Sequence, residues 1–137
     1  MVRRESLSEQ DFEKFRSLKN KLKHRGPDSE GEILFNNAAI GINRLAIVDE
    51  SNSNQPIWNH DRNVCVVANC EIYNFEVLRE ELVSRGHQFF TKGDVETVLN
   101  AYLEFGEDFT KHIFGMFAIT IVDFRTKEIL LTRDRLG

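Results

Sequence analysis

The stretch VVANCEIYNFEVLREEL, Val66–Leu82, contains the change of pattern on which the fold depends. Its valine-rich beginning predicts a buried strand over residues 63–69. A helix is predicted over residues 75–86, with Asn74 as its N-cap. Between the two, the polar residues 69–71 interrupt the apolar run. These residues fit the ordinary end of a strand. They also fit a ligand site, because polar groups at the carboxyl end of a strand often hold ligands.

Two further segments have the apolar spacing of helices. Residues 7–22 form the first, and Ser8 followed by Asp11 resembles a capping box at its start. Residues 95–106 form the second, with Asp94 as the predicted N-cap. Helices therefore flank the central strand on both sides in sequence.

Short apolar runs predict the remaining strands: residues 32–36, 38–42, 44–49, 86–91, 115–123 and 127–134. The first two are expected to pair across Asn36-Asn37, and the last two to form a hairpin. The order helix, strands, two helices, strands indicates α+β or layered α/β packing. A length of 137 residues suits one domain with a sizeable core.

Composition and charge narrow the classes of partner. The net charge is −4 and no basic block stands out, which argues against binding to nucleic acid or to an anionic membrane surface. No run approaches the ~20 apolar residues of a membrane helix, and the N-terminal stretch lacks the apolar core of a signal peptide. A cytoplasmic protein is therefore expected.

The two cysteines, Cys65 and Cys70, lie five positions apart, so along one strand they are expected to point to opposite faces. That placement disfavours a disulfide between them, and the pair lacks the ligand spacing of a zinc site. Reduced thiols and no metal site are expected.

Four polar residues follow or interrupt apolar runs: Arg44, Asn69, Glu71 and Asp94. If the strands lie side by side, these residues can converge. An arginine binds a carboxylate in bidentate fashion, acids hold an ammonium group, and an asparagine amide donates to an oxyanion. The set would suit an α-amino acid. The alternative is structural: a solvated arginine, a turn asparagine and a helix-capping aspartate.

Six segments, taken in order, resemble a known family: residues 22–32, 44–49, 54–56, 69–89, 93–109 and 115–137. The family is the glutamine amidotransferase domain of asparagine synthetase, of the class II or N-terminal-nucleophile type. The similarity runs from about Leu7 to the last residue.

The resemblance implies a fold and a chemistry. The fold is an αββα four-layer sandwich of two antiparallel sheets between helices. The chemistry is hydrolysis of L-glutamine to glutamate and ammonia, which passes to a second, ATP-using synthetase domain and attacks an aspartyl-adenylate to give asparagine. No cofactor is implied for the amidotransferase domain itself, since ATP and magnesium would belong to the synthetase domain.

The resemblance also implies a substrate site. Arg44 matches the arginine that holds the glutamine carboxylate, and Leu45 and Ile47 match a segment that lines the pocket through its backbone.

Three further residues match the family site. Asn69 matches the asparagine of the oxyanion hole in an Asn-Gly-Glu motif, and Glu71 matches the glutamate of that motif. Asp94 matches the aspartate that holds the substrate amino group.

The sequence departs from the family at the nucleophile. After methionine removal the family begins with a cysteine, whose thiol attacks the amide and whose own α-amine acts as base. Here residue 2 is Val2, and Cys70 stands at the motif glycine. We expect a domain without its first and last strands and without a synthetase domain, and no glutamine turnover by this chain.

Three hypotheses remain open from the sequence. In the first, the chain is the glutaminase-type part of an asparagine synthetase-like protein. In the second, it is a non-catalytic module that binds glutamine or another amino acid or acts as an interaction scaffold. In the third, it is an enzyme that uses Cys70 as a new nucleophile, for which no neighbouring base is evident. A synthetase domain or a second copy of the chain is the expected partner.

Overall fold

A computed structural model describes residues 1–2, 5–45 and 54–136. By their internal contacts the residues divide into two compact units. The first comprises residues 1–50 and 54–56, and the second residues 51–53 and 57–137. Each unit has its own antiparallel sheet and its own helices.

In the first unit, helix α1 (Glu9–Lys21) has Ser8 as its N-cap, as predicted. The backbone N–H of Asp11 donates to the Ser8 hydroxyl, and the Asp11 carboxylate accepts from the Ser8 N–H at 3.0 Å. This reciprocal pair is the predicted capping box. Strands β1 (Ser29–Leu34) and β2 (Ala39–Arg44) pair antiparallel, which confirms the pairing expected across Asn36-Asn37.

The core of the first unit lies between α1 and this two-stranded sheet. Leu7, Phe15 and Ala39 are buried, and Met1 and Phe12 pack against them. The α-ammonium group of Met1 donates to the carbonyl of Ala39 at 2.7 Å. A single helical face and a two-stranded sheet thus enclose a small apolar cluster.

The second unit contains a four-stranded antiparallel sheet, in the order β3 (Ile57–Trp58), β4 (Val64–Ile72), β5 (Gly115–Asp123) and β6 (Glu128–Arg133). The last two strands form the predicted hairpin. The short β3 strand was not predicted.

Helices α2 (Phe75–Ser84) and α3 (Asp94–Phe105) belong to the second unit, and a 3₁₀ turn (Gly106–Lys111) follows α3. Helix α3 packs on β4 and α2 packs beside α3. The core between helices and sheet includes the fully buried side chains Val66, Ile72, Leu82, Val98, Leu99, Phe109, Ile119 and Ile121.

Strand β4 is longer than predicted. The expected end at Asn69 is wrong, because backbone pairing with β5 continues to Ile72, which lies opposite Gly115. Polar residues occur here inside a strand because they alternate between faces, and Asn69 and Glu71 both occupy exposed positions.

The predicted strand at residues 86–91 is also wrong, and the chain is irregular there. Its backbone groups bind side chains of α3 instead of another strand. The Asn100 amide donates to the Gln88 carbonyl at 3.1 Å, and the backbone N–H of Phe90 donates to Glu96 at 2.8 Å. The backbone groups of this segment thus find hydrogen-bond partners without pairing in a sheet.

The two helix starts differ from the prediction in detail. Gly93 is the N-cap of α3, so Asp94 is the first helical residue and not the cap. Asn74 does occupy the N-cap position of α2 but makes no capping hydrogen bond. Its amide donates to the His112 carbonyl at 2.9 Å and accepts from the Phe114 N–H at 2.8 Å.

The predicted strand at residues 44–49 falls largely outside the described residues: Arg44 ends β2, and residues 46–49 are not described. Within the described ranges no helix is both long and apolar enough to cross a membrane. The α+β class with two antiparallel sheets and helices is confirmed.

Candidate functional site

The C-terminal half of β4 presents two different faces. Asn69 lies opposite Ala118 and Glu71 opposite Met116, so both share one face of the sheet. Cys70 and the buried Ile72 occupy the other face, which packs on the helices. The predicted oxyanion-hole asparagine and its partner glutamate are therefore neighbours on an exposed surface, while the residue between them points to the core.

Asp94 is joined to the same part of β4. Its Oδ2 atom accepts a hydrogen bond from the backbone N–H of Ile72 at 3.0 Å and from the Cys70 thiol at 3.6 Å. A carboxylate in the first turn of a helix is also favoured by the helix dipole. Both contacts fall on one oxygen, and Oδ1 makes no hydrogen bond within the described part of the chain.

The environment of Cys70 favours the neutral thiol. Burial raises the pKa of Cys70, and the nearby negative charge of Asp94 raises it further. The thiolate is the nucleophilic form of cysteine, so this position disfavours attack by Cys70. A protonated thiol is instead suited to donate to Asp94.

Cys65 lies five residues earlier in β4, on the opposite face and fully buried. Burial raises the pKa of Cys65 to about 12. Both cysteines are free thiols, as the sequence predicted. The outcome follows from the alternation of side chains along one strand.

Gly115 supports the end of β4 and was not singled out from the sequence. A Cβ at this position would lie 2.1 Å from the Glu71 carbonyl oxygen and 2.9 Å from the Cα of Ile72. Only glycine allows β5 to approach β4 this closely. A glycine at the first position of the predicted strand 115–123 was the available signal.

The other predicted site residues belong to the first unit. Arg44 is the last residue of β2, is partly buried, and its carbonyl accepts from the Asp28 N–H at 3.1 Å. Leu45 follows it and is 56% exposed. Ile47 lies outside the described residues. Their roles in binding stay predictions.

Two antiparallel sheets, each with helices packed on it, are the elements of the N-terminal-nucleophile hydrolase fold. A solved structure has the same fold: glutamine phosphoribosylpyrophosphate amidotransferase from B. subtilis, complexed with ADP and GMP, with a TM-score of 0.57 and 21% sequence identity. The likeness covers 70% of this chain and 23% of that one.

The sequence profile of the glutamine amidotransferase domain matches residues 3–137, and the chain therefore belongs to this family. Asparagine synthetase (glutamine-hydrolyzing) 2 of Arabidopsis thaliana is 42% identical over 120 residues, which are 88% of this chain and 20% of that protein. The corresponding enzyme of Zea mays is 38% identical over the same shares. The chain thus spans about a fifth of the length of these relatives.

Proposed function

We propose that this chain is the glutamine-binding domain of an asparagine synthetase-like amidotransferase, and that these 137 residues bind L-glutamine without hydrolysing it. One observation carries the proposal. Asp94 is hydrogen-bonded to the segment of β4 that bears Asn69 and Glu71. Asp94 is thereby attached to the same end of β4 as Asn69 and Glu71, whose side chains lie on the other face of the sheet from Cys70.

The proposed binding follows from the chemistry of these groups. The Asp94 oxygen that has no hydrogen-bond partner among the described residues accepts from the α-ammonium group of glutamine. The resemblance assigns Glu71 to the same site. The Asn69 amide donates to the oxygen of the side-chain amide. The resemblance assigns the α-carboxylate of glutamine to Arg44, and backbone contacts to Leu45 and Ile47.

Lack of turnover is proposed because hydrolysis in this family requires a thiol nucleophile with a base beside it. Both cysteines of the sequence lie in β4, Cys65 buried and Cys70 partly buried, and burial raises the pKa of each thiol. Glutamine would therefore be held and not attacked.

The names of the relatives describe synthetases that hydrolyse glutamine, and this chain matches about a fifth of each. We propose by analogy that a synthetase domain, which would bind ATP and magnesium, is the functional partner of this domain in a cytoplasmic protein.

The test is a pair of measurements on the purified chain. Calorimetric titration with L-glutamine is expected to show binding, and an assay for glutamate and ammonia is expected to show no release. Asp94→Asn should weaken binding by about 10-fold or more, since a charge-assisted hydrogen bond contributes about 1.5–3 kcal/mol.

The matched control is Asp108→Asn, which changes an exposed aspartate paired with Lys111 and should leave binding unchanged. Arg44→Ala tests the residue that the resemblance assigns to the carboxylate. Absence of glutamine binding by the unmodified chain would refute the proposal. Release of ammonia that Arg44→Ala abolishes would refute the claim of inactivity.

A further inference from the structure

A contact between Cys70 and Asp94 suggests a role for a residue that the family pattern does not contain. The motif glycine of the resembled family has no side chain, whereas Cys70 places a thiol 3.6 Å from Asp94 Oδ2. The contact joins residues 24 positions apart in the chain. It is therefore a tertiary contact specific to the cysteine.

Two donors on β4 hold the same carboxylate oxygen. The Ile72 backbone N–H lies 3.0 Å from Asp94 Oδ2, and the Cys70 thiol approaches that oxygen from two residues earlier on the same face. With two donors on one oxygen, the rotation of the carboxylate about its terminal bond is restricted. The second oxygen then has a defined position and no protein partner among the residues described.

We infer that Cys70 is a positioning residue, whose thiol orients Asp94 so that its second oxygen receives the α-ammonium group of the bound amino acid. This inference rests on the proposed function, since it requires that Asp94 bind the ligand. The thiol does not touch the ligand in this scheme. Because burial and the Asp94 charge both raise the pKa of Cys70, the thiol keeps its proton and remains a donor at neutral pH.

The competing explanation is that Cys70 only fills space. It packs against the apolar core of the second unit, so its removal would also disturb packing there. The two explanations differ in their dependence on the ammonium group. A positioning role affects only ligands that carry it, whereas loss of packing affects every ligand of the site.

The experiment compares the binding of L-glutamine with that of 4-carbamoylbutanoate, the same molecule without the α-amino group. Ligand-observed NMR and calorimetry are applied to the full 137-residue chain and to Cys70→Ala, Cys70→Ser, Asp94→Asn and the Cys70→Ala/Asp94→Asn double variant. Cys65→Ala is the matched control, because it removes a buried thiol from the opposite face of the same strand.

Cys70→Ala is expected to weaken glutamine binding about 2- to 10-fold, the range for loss of one modest hydrogen bond. Its effect on 4-carbamoylbutanoate should be less than about 1.5-fold. Cys70→Ser keeps a donor and should stay within about 2-fold of the unmodified chain. In the Asp94→Asn background the Cys70→Ala change should have no further effect, since coupled residues are not additive.

Two results would overturn the positioning role without contradicting the proposed glutamine binding. One is an equal loss of affinity for both ligands in Cys70→Ala, and the other is a Cys70→Ala effect on glutamine affinity that persists in the Asp94→Asn background. Unchanged glutamine binding in Cys70→Ala would do the same. Absence of glutamine binding by the unmodified chain would overturn the proposed function and this inference together. Thermal unfolding midpoints of all variants show that each one is folded.

Discussion

At the scale of single residues, Asp123 shows how a buried charge is kept in this protein. It ends β5 and is 1% exposed. The Arg125 guanidinium contacts both of its carboxylate oxygens, at 2.6 and 3.0 Å, and the Tyr102 hydroxyl donates at 3.1 Å. The pKa of Asp123 is lowered to about 2, mainly by the hydrogen bonds from the Arg125 side chain.

The lowered pKa of Asp123 predicts a pH dependence of stability. The carboxyl group has an ordinary pKa of 3.8 and a folded-state pKa of about 2, so the unfolded chain binds its proton first as the pH falls. The stabilisation is present above about pH 4 and is lost progressively toward pH 2. Its magnitude is on the order of 2 kcal/mol.

Urea unfolding between pH 5 and pH 2 measures this dependence. The unmodified chain is expected to lose about 2 kcal/mol more of its free energy of unfolding over this range than Asp123→Asn loses. The control Asp61→Asn changes an exposed aspartate and should follow the unmodified chain. Identical pH profiles for the unmodified chain and Asp123→Asn would contradict the prediction.

At the scale of elements, α3 organises the irregular segment before it. Glu96 lies in the first turn of α3 and is 3% exposed. Its carboxylate accepts from the Phe90 N–H at 2.8 Å and from the Thr91 N–H and hydroxyl at 2.6 and 2.7 Å. The Arg79 guanidinium of α2 lies 4.3 Å from the Phe89 ring and donates to the Thr91 carbonyl. Side chains of two helices therefore replace the predicted strand pairing.

Replacing Glu96 by glutamine tests this arrangement. The glutamine amide has one acceptor oxygen in place of two, so one buried donor of Phe90 or Thr91 loses its partner. We expect Glu96→Gln to lower the free energy of unfolding by about 1–3 kcal/mol in urea titrations. Glu76→Gln, at an exposed position in the first turn of α2, is the control and should change it by less than about 0.5 kcal/mol. A loss no larger than that of the control would show that the carboxylate does not hold the segment.

At the scale of the whole molecule, the two units differ in how their sheets are built. The second unit has a four-stranded sheet in which β4 and β5 each have two neighbours. Among its described residues the first unit has two strands, with one α-helix packed on them. Two-stranded sheets are marginally stable without further packing. Opening of the backbone should therefore require less free energy in the first unit.

Native-state hydrogen exchange followed by NMR measures this difference. After correction for intrinsic rates, the backbone amides of β4 and β5 are expected to exchange at least about 10-fold more slowly than those of β1 and β2. Amides in the exposed hairpin turn at residues 124–127 give the fast reference. Equal protection in the two sheets would indicate that the chain opens as one cooperative unit.

Much of the fold was predicted from local patterns. The capping box of α1, the β1–β2 pairing and the β5–β6 hairpin depend on residues close together in sequence, and all three were confirmed. The opposite orientation of Cys65 and Cys70 also followed from the two-residue period of a strand. The wrong predictions concern places where distant residues compete for the same backbone groups.

In the candidate site, too, the sequence indicated the residues but not their long-range contacts. Residue types and resemblance singled out Asn69, Glu71 and Asp94, and the structure shows which face of β4 carries the first two. The contact of Asp94 with Ile72 and Cys70 could not be read from the sequence, because Asp94 also suited a helix cap.

The sequence by itself determined the class of the fold, the family and the types of residue available to bind an amino acid. Only the tertiary structure decided that β4 continues to Ile72, that residues 86–91 form no strand and that Asp94 is bound to β4. The physical reason is the same in each case. Local patterns specify which elements form, but a backbone or carboxylate group takes its partner from whatever donors and acceptors packing brings near it, and those lie far away along the chain.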